Sequence, residues 1–149
     1  MKQNVTVIRE TRLDPAFPLS RQELRQLVGV ILDSLGLEES SLEIKLVDDC
    51  EIARLNKEFM GCTGPTNVLS FPAEESEEHG GDESYLGELA LSVDAVSRES
   101  DLYHQPPVLH LARLLAHGIL HLAGHDHGEV MYDLTDAAVD RVELEYLSD

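Results

Sequence analysis

The sequence predicts an α+β fold: a single domain over residues 1–149, with helices packed on one mixed four-stranded sheet. Three observations carry this. Alternating apolar and polar residues mark four short strands, a 3.6-residue periodicity marks five helices, and their order is βαβαββααα. No internal repeat and no boundary-like linker divides the 149 residues, a length suited to one domain. A hydrophobic content of 42% is enough to build one core.

The elements follow in order. NVTVIRE (4–10) alternates as a strand. SRQELRQLVGVILDSLG follows, with Ser20 and Glu23 spaced as a capping box and Gly36 as a stop, which places a helix over 21–35. LEIKLVDD (42–49) alternates again, and Asp48 or Asp49 can cap a helix running through about Met60. GCTGPT (61–66) is a turn cluster. NVLSFPAE then reads as a third strand, ended near Pro72. The acidic, glycine-rich EESEEHGGDES (74–84) has no periodicity and reads as a solvated loop. LGELALSV (86–93) supplies the fourth strand. DAVSRESDLYHQ is a short helix, and Pro106 and Pro107 suit the start of the next one. Residues 107–123 are apolar around much of their circumference, so this helix should be central and buried. Gly124 should end it, and 129–147 gives a final amphipathic helix.

Composition narrows the function classes. No stretch of about 20 apolar residues exists to span a membrane. MKQNVTVIRETR lacks the apolar region of a secretory signal. Cys50 and Cys62 form no CxxC, and two isolated thiols without an export signal suggest a reduced, cytoplasmic protein in which both are small buried side chains. The net charge is −18, with 11 Lys+Arg against 29 Asp+Glu. That argues against a broad basic nucleic-acid surface. It leaves RNA chemistry at one site open, because a bound metal is itself a large local cation.

HGILHLAGHDH, residues 117–127, holds four of the chain's seven histidines. On a helix, positions i and i+4 differ by about 40° and one turn, so His117 and His121 project side by side. Both can reach one metal ion at about 2.0–2.1 Å. Gly124 tolerates the left-handed conformation that reverses a chain at a helix end, which can bring His127 back toward the same ion. Spacing alone leaves His125 open as a rival third ligand. The imidazole set favours zinc, one ion per chain at the end of the central helix. Three protein ligands leave one position open, as catalytic sites do. His110 shares the face of His117 but lies about 10 Å up the axis, too far to be a ligand.

The spacing matches the zinc-protease pattern H-E-x-x-H-x-x-G-x-x-H at every histidine and at Gly124, but Gly118 stands where the glutamate base belongs. Zinc can still lower the pKa of water to about 7 and polarise a phosphoryl oxygen. Such chemistry suits phosphodiester cleavage better than peptide cleavage.

The chain resembles the YbeY family of bacterial endoribonucleases and rRNA maturation factors. The resemblance rests on HGILHLAGHDH against the family's H-G-x-L-H-L-x-G-Y-D-H, with PTNVLSFP (65–72) and LGELALS (86–92) in the expected order. It implies an α+β metalloprotein with zinc on His117, His121 and His127. It also implies cleavage of single-stranded ribosomal RNA, processing toward the 3′ end of small-subunit rRNA, and a part in ribosome quality control. Thr66, Asn67 and Ser70 fall on the strand that the resemblance places near the cleft, as substrate-binding residues or as turn and strand-edge hydrogen-bonders. Two positions depart from the family. His125 replaces its usual tyrosine, and Met60 occupies a position where an arginine contacts RNA or stabilises phosphate charge. Lys57, three residues earlier on the same predicted helix, can stand in as the catalytic cation. Two other readings stay open: a non-catalytic, zinc-containing assembly factor that binds small-subunit proteins or an assembly GTPase, and a metalloprotease-like hydrolase. Neither DNA nor a membrane is expected as a partner.

Overall fold

The structure, a computed structural model, describes residues 5–11, 17, 19–64, 66–73, 84–125 and 128–146. Strands β1 (Val5–Arg9), β2 (Ser41–Val47), β3 (Val68–Pro72) and β4 (Tyr85–Ser92) form one sheet in the order β1-β2-β4-β3. β1, β2 and β4 run parallel, and β3 pairs antiparallel to β4 on the edge. Helices α1 (Arg21–Ser34), α2 (Asp49–Met60), α3 (Val93–Leu102), α4 (Pro107–Leu122) and α5 (Glu129–Tyr146) complete the domain. The α+β prediction, with helices on a mixed four-stranded sheet, holds. The acidic stretch 74–83 lies outside the described residues.

Local chemistry sets the boundaries. Ser20 Oγ accepts from Glu23 N–H at 3.1 Å while Ser20 N–H donates to the Glu23 carboxylate at 2.9 Å, so the capping box starts α1. Of the two aspartates available to cap α2, Asp48 is the one used: its carboxylate accepts from Glu51 N–H at 2.8 Å, which also ends β2 at Val47. The junction after β4 differs from the expectation of a strand to residue 93 and a helix from 94. Ser92 closes the strand and caps α3 at once, its hydroxyl accepting from Ala95 N–H at 3.2 Å. Strand and helix therefore meet without a loop.

The main core lies on one face of the sheet. Val7, Ile44, Leu46, Leu89 and Leu91 pack there against α1, α4 and α5. α2 covers the other face through Ile52, which joins Val47, Leu69 and Ala90. β3 is divided by its own alternation: Leu69 and Phe71 look toward α2, Val68 and Ser70 toward α4. This edge strand therefore carries the PTNVLSFP segment alongside the central helix.

α3 ends on His104, a non-glycine residue with φ +54. Its N–H donates to Asp101 C=O at 3.3 Å and Gln105 N–H to Ser100 C=O at 3.0 Å, the bond pair that normally has glycine in the left-handed position. A side chain there costs roughly 1–2 kcal/mol, partly offset by glycine's greater unfolded entropy. His104→Gly should therefore raise stability by about 0.5–1 kcal/mol in urea unfolding; a loss of stability would show that the His104 ring itself contributes.

Candidate metal centre

α4 enters through Pro106 and Pro107, and its apolar faces are buried between the sheet and α5. Its last two turns carry His117 and His121, both half-buried, with ring centroids 4.8 Å apart and planes at 79°. The helix then closes on a reversal. Gly124, at φ +94, donates to His121 C=O at 3.0 Å, and His125 N–H donates to Leu120 C=O at 3.0 Å. The 6→1 and 5→2 bonds define the motif that turns a chain back across its helix end, and the conformation at 124 requires glycine.

Two imidazoles edge to face on one helical turn suit a metal that takes nitrogen ligands, so the donor set fits zinc. Among the described residues no group of three His, Cys, Asp or Glu is gathered for a metal. His127 lies outside the described residues.

Gly118, between the two histidines, answers for the missing glutamate. A Cβ at 118 would stand 2.9 Å from Leu89 Cδ2, 3.3 Å from Leu89 Cδ1 and 3.4 Å from Val68 Cγ2. The position faces the sheet. α4 lies so close to β3 and β4 there that its Gly118 carbonyl accepts the Ser70 hydroxyl at 3.2 Å. A general base on this residue would be buried in leucine and valine rather than aimed at a ligand.

The other residues singled out in the sequence fall in three places. Ser70 is engaged with α4. Asn67, at the entrance of β3, has its amide used inside the fold: Oδ1 accepts from Val68 N–H at 2.8 Å, and Nδ2 donates to Glu99 Oε1 and Oε2 at 3.3 and 3.5 Å. Thr66 is half-buried beside it. Lys57 and Met60 are exposed together on the last turn of α2, with Met60 at 46%. Arg54, Arg98, Arg113, Arg141 and Lys45 all pair with carboxylates, whereas Lys57, like Arg9, Arg21 and Arg25, makes no ion pair with a described residue. Where those pairs are tight they shift titration: the hydrogen bond from Arg98 holds the Asp49 carboxyl below the usual carboxylate range. Cys50 and Cys62, expected to be buried, are both exposed; each sits at a helix end or beyond it, where no core is within reach.

Sequence reasoning missed Glu99. It sits inside α3 in no motif, and its role comes from a tertiary contact: Oε1 lies 2.8 Å from His110 Nε2, on the helix that carries the histidine pair. His110 is thus a buried partner of a carboxylate.

The comparisons with known proteins bear on family and fold. The family model described as Endoribonuclease YbeY matches residues 12–139. Among curated proteins, an Endoribonuclease YbeY of Oleidesulfovibrio alaskensis is 46% identical, with 89% of this chain and 88% of that protein covered. Another of that name, from Nitratidesulfovibrio vulgaris, is 40% identical over 81% of this chain and 83% of its own length. Among solved structures, a Thermotoga maritima protein studied in solution superposes with a TM-score of 0.64 at 24% identity, covering 95% of this chain and 91% of that one, which speaks to the fold.

Proposed function

Because this chain belongs to the YbeY family of endoribonucleases, we propose that it is a zinc-dependent endoribonuclease that cuts single-stranded ribosomal RNA in the cytoplasm, in small-subunit 3′-end maturation and ribosome quality control. The observation that carries the metal is the His117–His121 pair, 4.8 Å between ring centroids, followed at once by the chain reversal at Gly124. His117, His121 and His127 would hold one ion. Zinc held there supplies a Lewis acid for a phosphoryl oxygen and acidifies water near neutral pH.

The remaining work falls to the chain. Gly118 lets α4 seat against β3, so the histidine turn stays beside the strand. Lys57, a cation that no described carboxylate neutralises, takes the part of the arginine that Met60 replaces, while Thr66, just before β3, lines the substrate's approach. Lysine is a point charge without the two-pronged planar donor of arginine, so it should hold a phosphate less well. Partners consistent with this are single-stranded rRNA and small-subunit proteins or an assembly GTPase. Among the described residues no helix is long and apolar enough to cross a membrane.

Two observations favour a second reading. Met60 and a charge of −18 also suit an assembly factor that binds ribosomal protein or a GTPase and cuts nothing. Single-turnover cleavage of one RNA by wild type, Lys57→Ala, Met60→Arg and the double variant separates the two. Met60→Arg should raise the rate, by no more than the roughly 10²–10³ that one preorganised donor is worth. Lys57→Ala should slow the wild type and matter less beside Met60→Arg. Equal rates in all four with metal content unchanged would favour the assembly factor.

Salt dependence gives an independent check. With few free cations, RNA affinity should fall with log salt at a slope of about −1.4 to −2.1, the value for two or three phosphates on a single strand. A slope several times steeper would reveal a basic surface that this reading denies.

A further inference from the structure

We propose that Glu99 is a positioning residue of the nuclease site: its carboxylate ties Asn67 at the entrance of β3 to His110 on α4, and so sets how β3 lies beside His117 and His121. The proposal rests on the endoribonuclease reading above and adds a residue that no motif contains.

The geometry is a two-point clamp. At one end, Glu99 Oε1 is 2.8 Å from His110 Nε2 and 3.3 Å from Asn67 Nδ2. At the other, Ser70 Oγ donates to Gly118 C=O at 3.2 Å, between the two histidines. From His110 to Gly118 the helix rises about 12 Å. From Asn67 to Ser70 the strand rises about 10 Å. The two spans are within about 2 Å of each other, and with Val68 and Ser70 against Gly118 the strand lies along the helix, held at both ends.

The Asn67 amide cannot turn away from this arrangement. Its Oδ1 takes the Val68 N–H at 2.8 Å, and a flipped amide would set donor against donor there and acceptor against the Glu99 carboxylate. The Asn67 carbonyl in turn accepts Ser92 N–H at 2.9 Å, at the residue that caps α3. Glu99 thus rides on a helix whose capping residue is itself tied to Asn67. The Glu99 side chain is only 20% exposed and that of His110 only 8%. A carboxylate–imidazole contact this sheltered is a costly way to gain stability, and such groups serve better to select one arrangement among several. A misplacement of about 1 Å at a reacting centre can cost roughly 10² in rate, so a clamp on β3 has leverage over the chemistry.

The test compares Glu99→Ala, Glu99→Gln, Asn67→Ala and the Glu99→Ala/Asn67→Ala pair in zinc content, in kcat and KM for single-stranded RNA, and in the ring resonances of His117 and His121 in metal-free protein. Glu99→Ala should lower kcat by about 10²-fold with KM within a few-fold and zinc content unchanged. Glu99→Gln, which keeps an acceptor for both partners, should recover most of that loss. The double variant should be no slower than Glu99→Ala, because both substitutions cut one link. The His117 and His121 ring signals should move in the alanine variants and return in Glu99→Gln. If Glu99→Ala does not fold, Asn67→Ala alone should reproduce the kcat loss and the shifted signals. Folded alanine variants with wild-type kcat and unshifted signals, or losses that simply add, overturn the clamp while the nuclease reading stands. A wild type that binds zinc but cuts no RNA overturns both.

Discussion

Replacing His117, His121 or His127 by alanine should strip zinc from the protein, while His125→Ala should keep it. His117 and His121 stand one turn apart with their rings edge to face, and neither can be exchanged for a neighbour on the helix. Substituting mere outer partners of ligands costs about 10–100-fold in metal affinity, so losing one of three ligands should exceed about 100-fold. His125 follows the glycine directly, and its N–H is tied back to Leu120 C=O at the helix end. Elemental analysis after dialysis against a weak chelator reads the result directly. Zinc lost from His125→Ala and retained in His127→Ala would reverse the assignment of the third ligand.

Restoring the protease glutamate should wreck the fold instead of creating a peptidase. In Gly118→Glu, the first side-chain carbon alone meets Leu89 at 2.9 Å, and the carboxylate beyond it is driven among Leu89 and Val68, with Leu89 fully buried. Overpacking costs roughly 1–3 kcal/mol, and an unpaired buried charge brings the total to about 4 kcal/mol or more. Gly118→Ala separates the two effects. The close atom is the far end of a leucine that can shift, and alanine gains about 1 kcal/mol of helix propensity, so its net cost should be roughly 0–2 kcal/mol. Urea unfolding of the metal-free proteins measures both. A Gly118→Glu protein with wild-type stability would mean that the position has room for a base, and the protease reading would regain its footing.

Features specified by a few neighbouring residues are legible in the amino-acid sequence alone. Ser20 and Glu23 announce the start of α1, Gly124 the end of α4, and four alternating segments the four strands. The histidine pair is legible for the same reason, since i and i+4 on one helix need no tertiary knowledge. What the sequence hides depends on distant chain segments. Ser92 belongs to β4 and α3 together, because Asp49 and Ala95 both bond its hydroxyl. The need for glycine at 118 is visible only once Leu89 is laid against it. On a lone strand Asn67 and Ser70 read equally as substrate ligands or as turn and strand-edge hydrogen-bonders, and only α3 and α4 show which atoms they engage. Glu99 is one of many acids in the sequence, and its contacts with His110 and Asn67 distinguish it.

The most direct measurement is cleavage of one RNA, offered as a single strand and as a duplex, by the zinc-loaded protein and by its His117→Ala variant purified identically. The wild type should make internal cuts in the single strand and leave the duplex intact, and His117→Ala should show only background cleavage even when that variant is folded. Equal cleavage by both proteins would place the activity in a contaminating nuclease. No cleavage by a zinc-loaded wild type, alongside tight binding to a small-subunit protein or an assembly GTPase, would contradict the nuclease reading and leave the assembly factor.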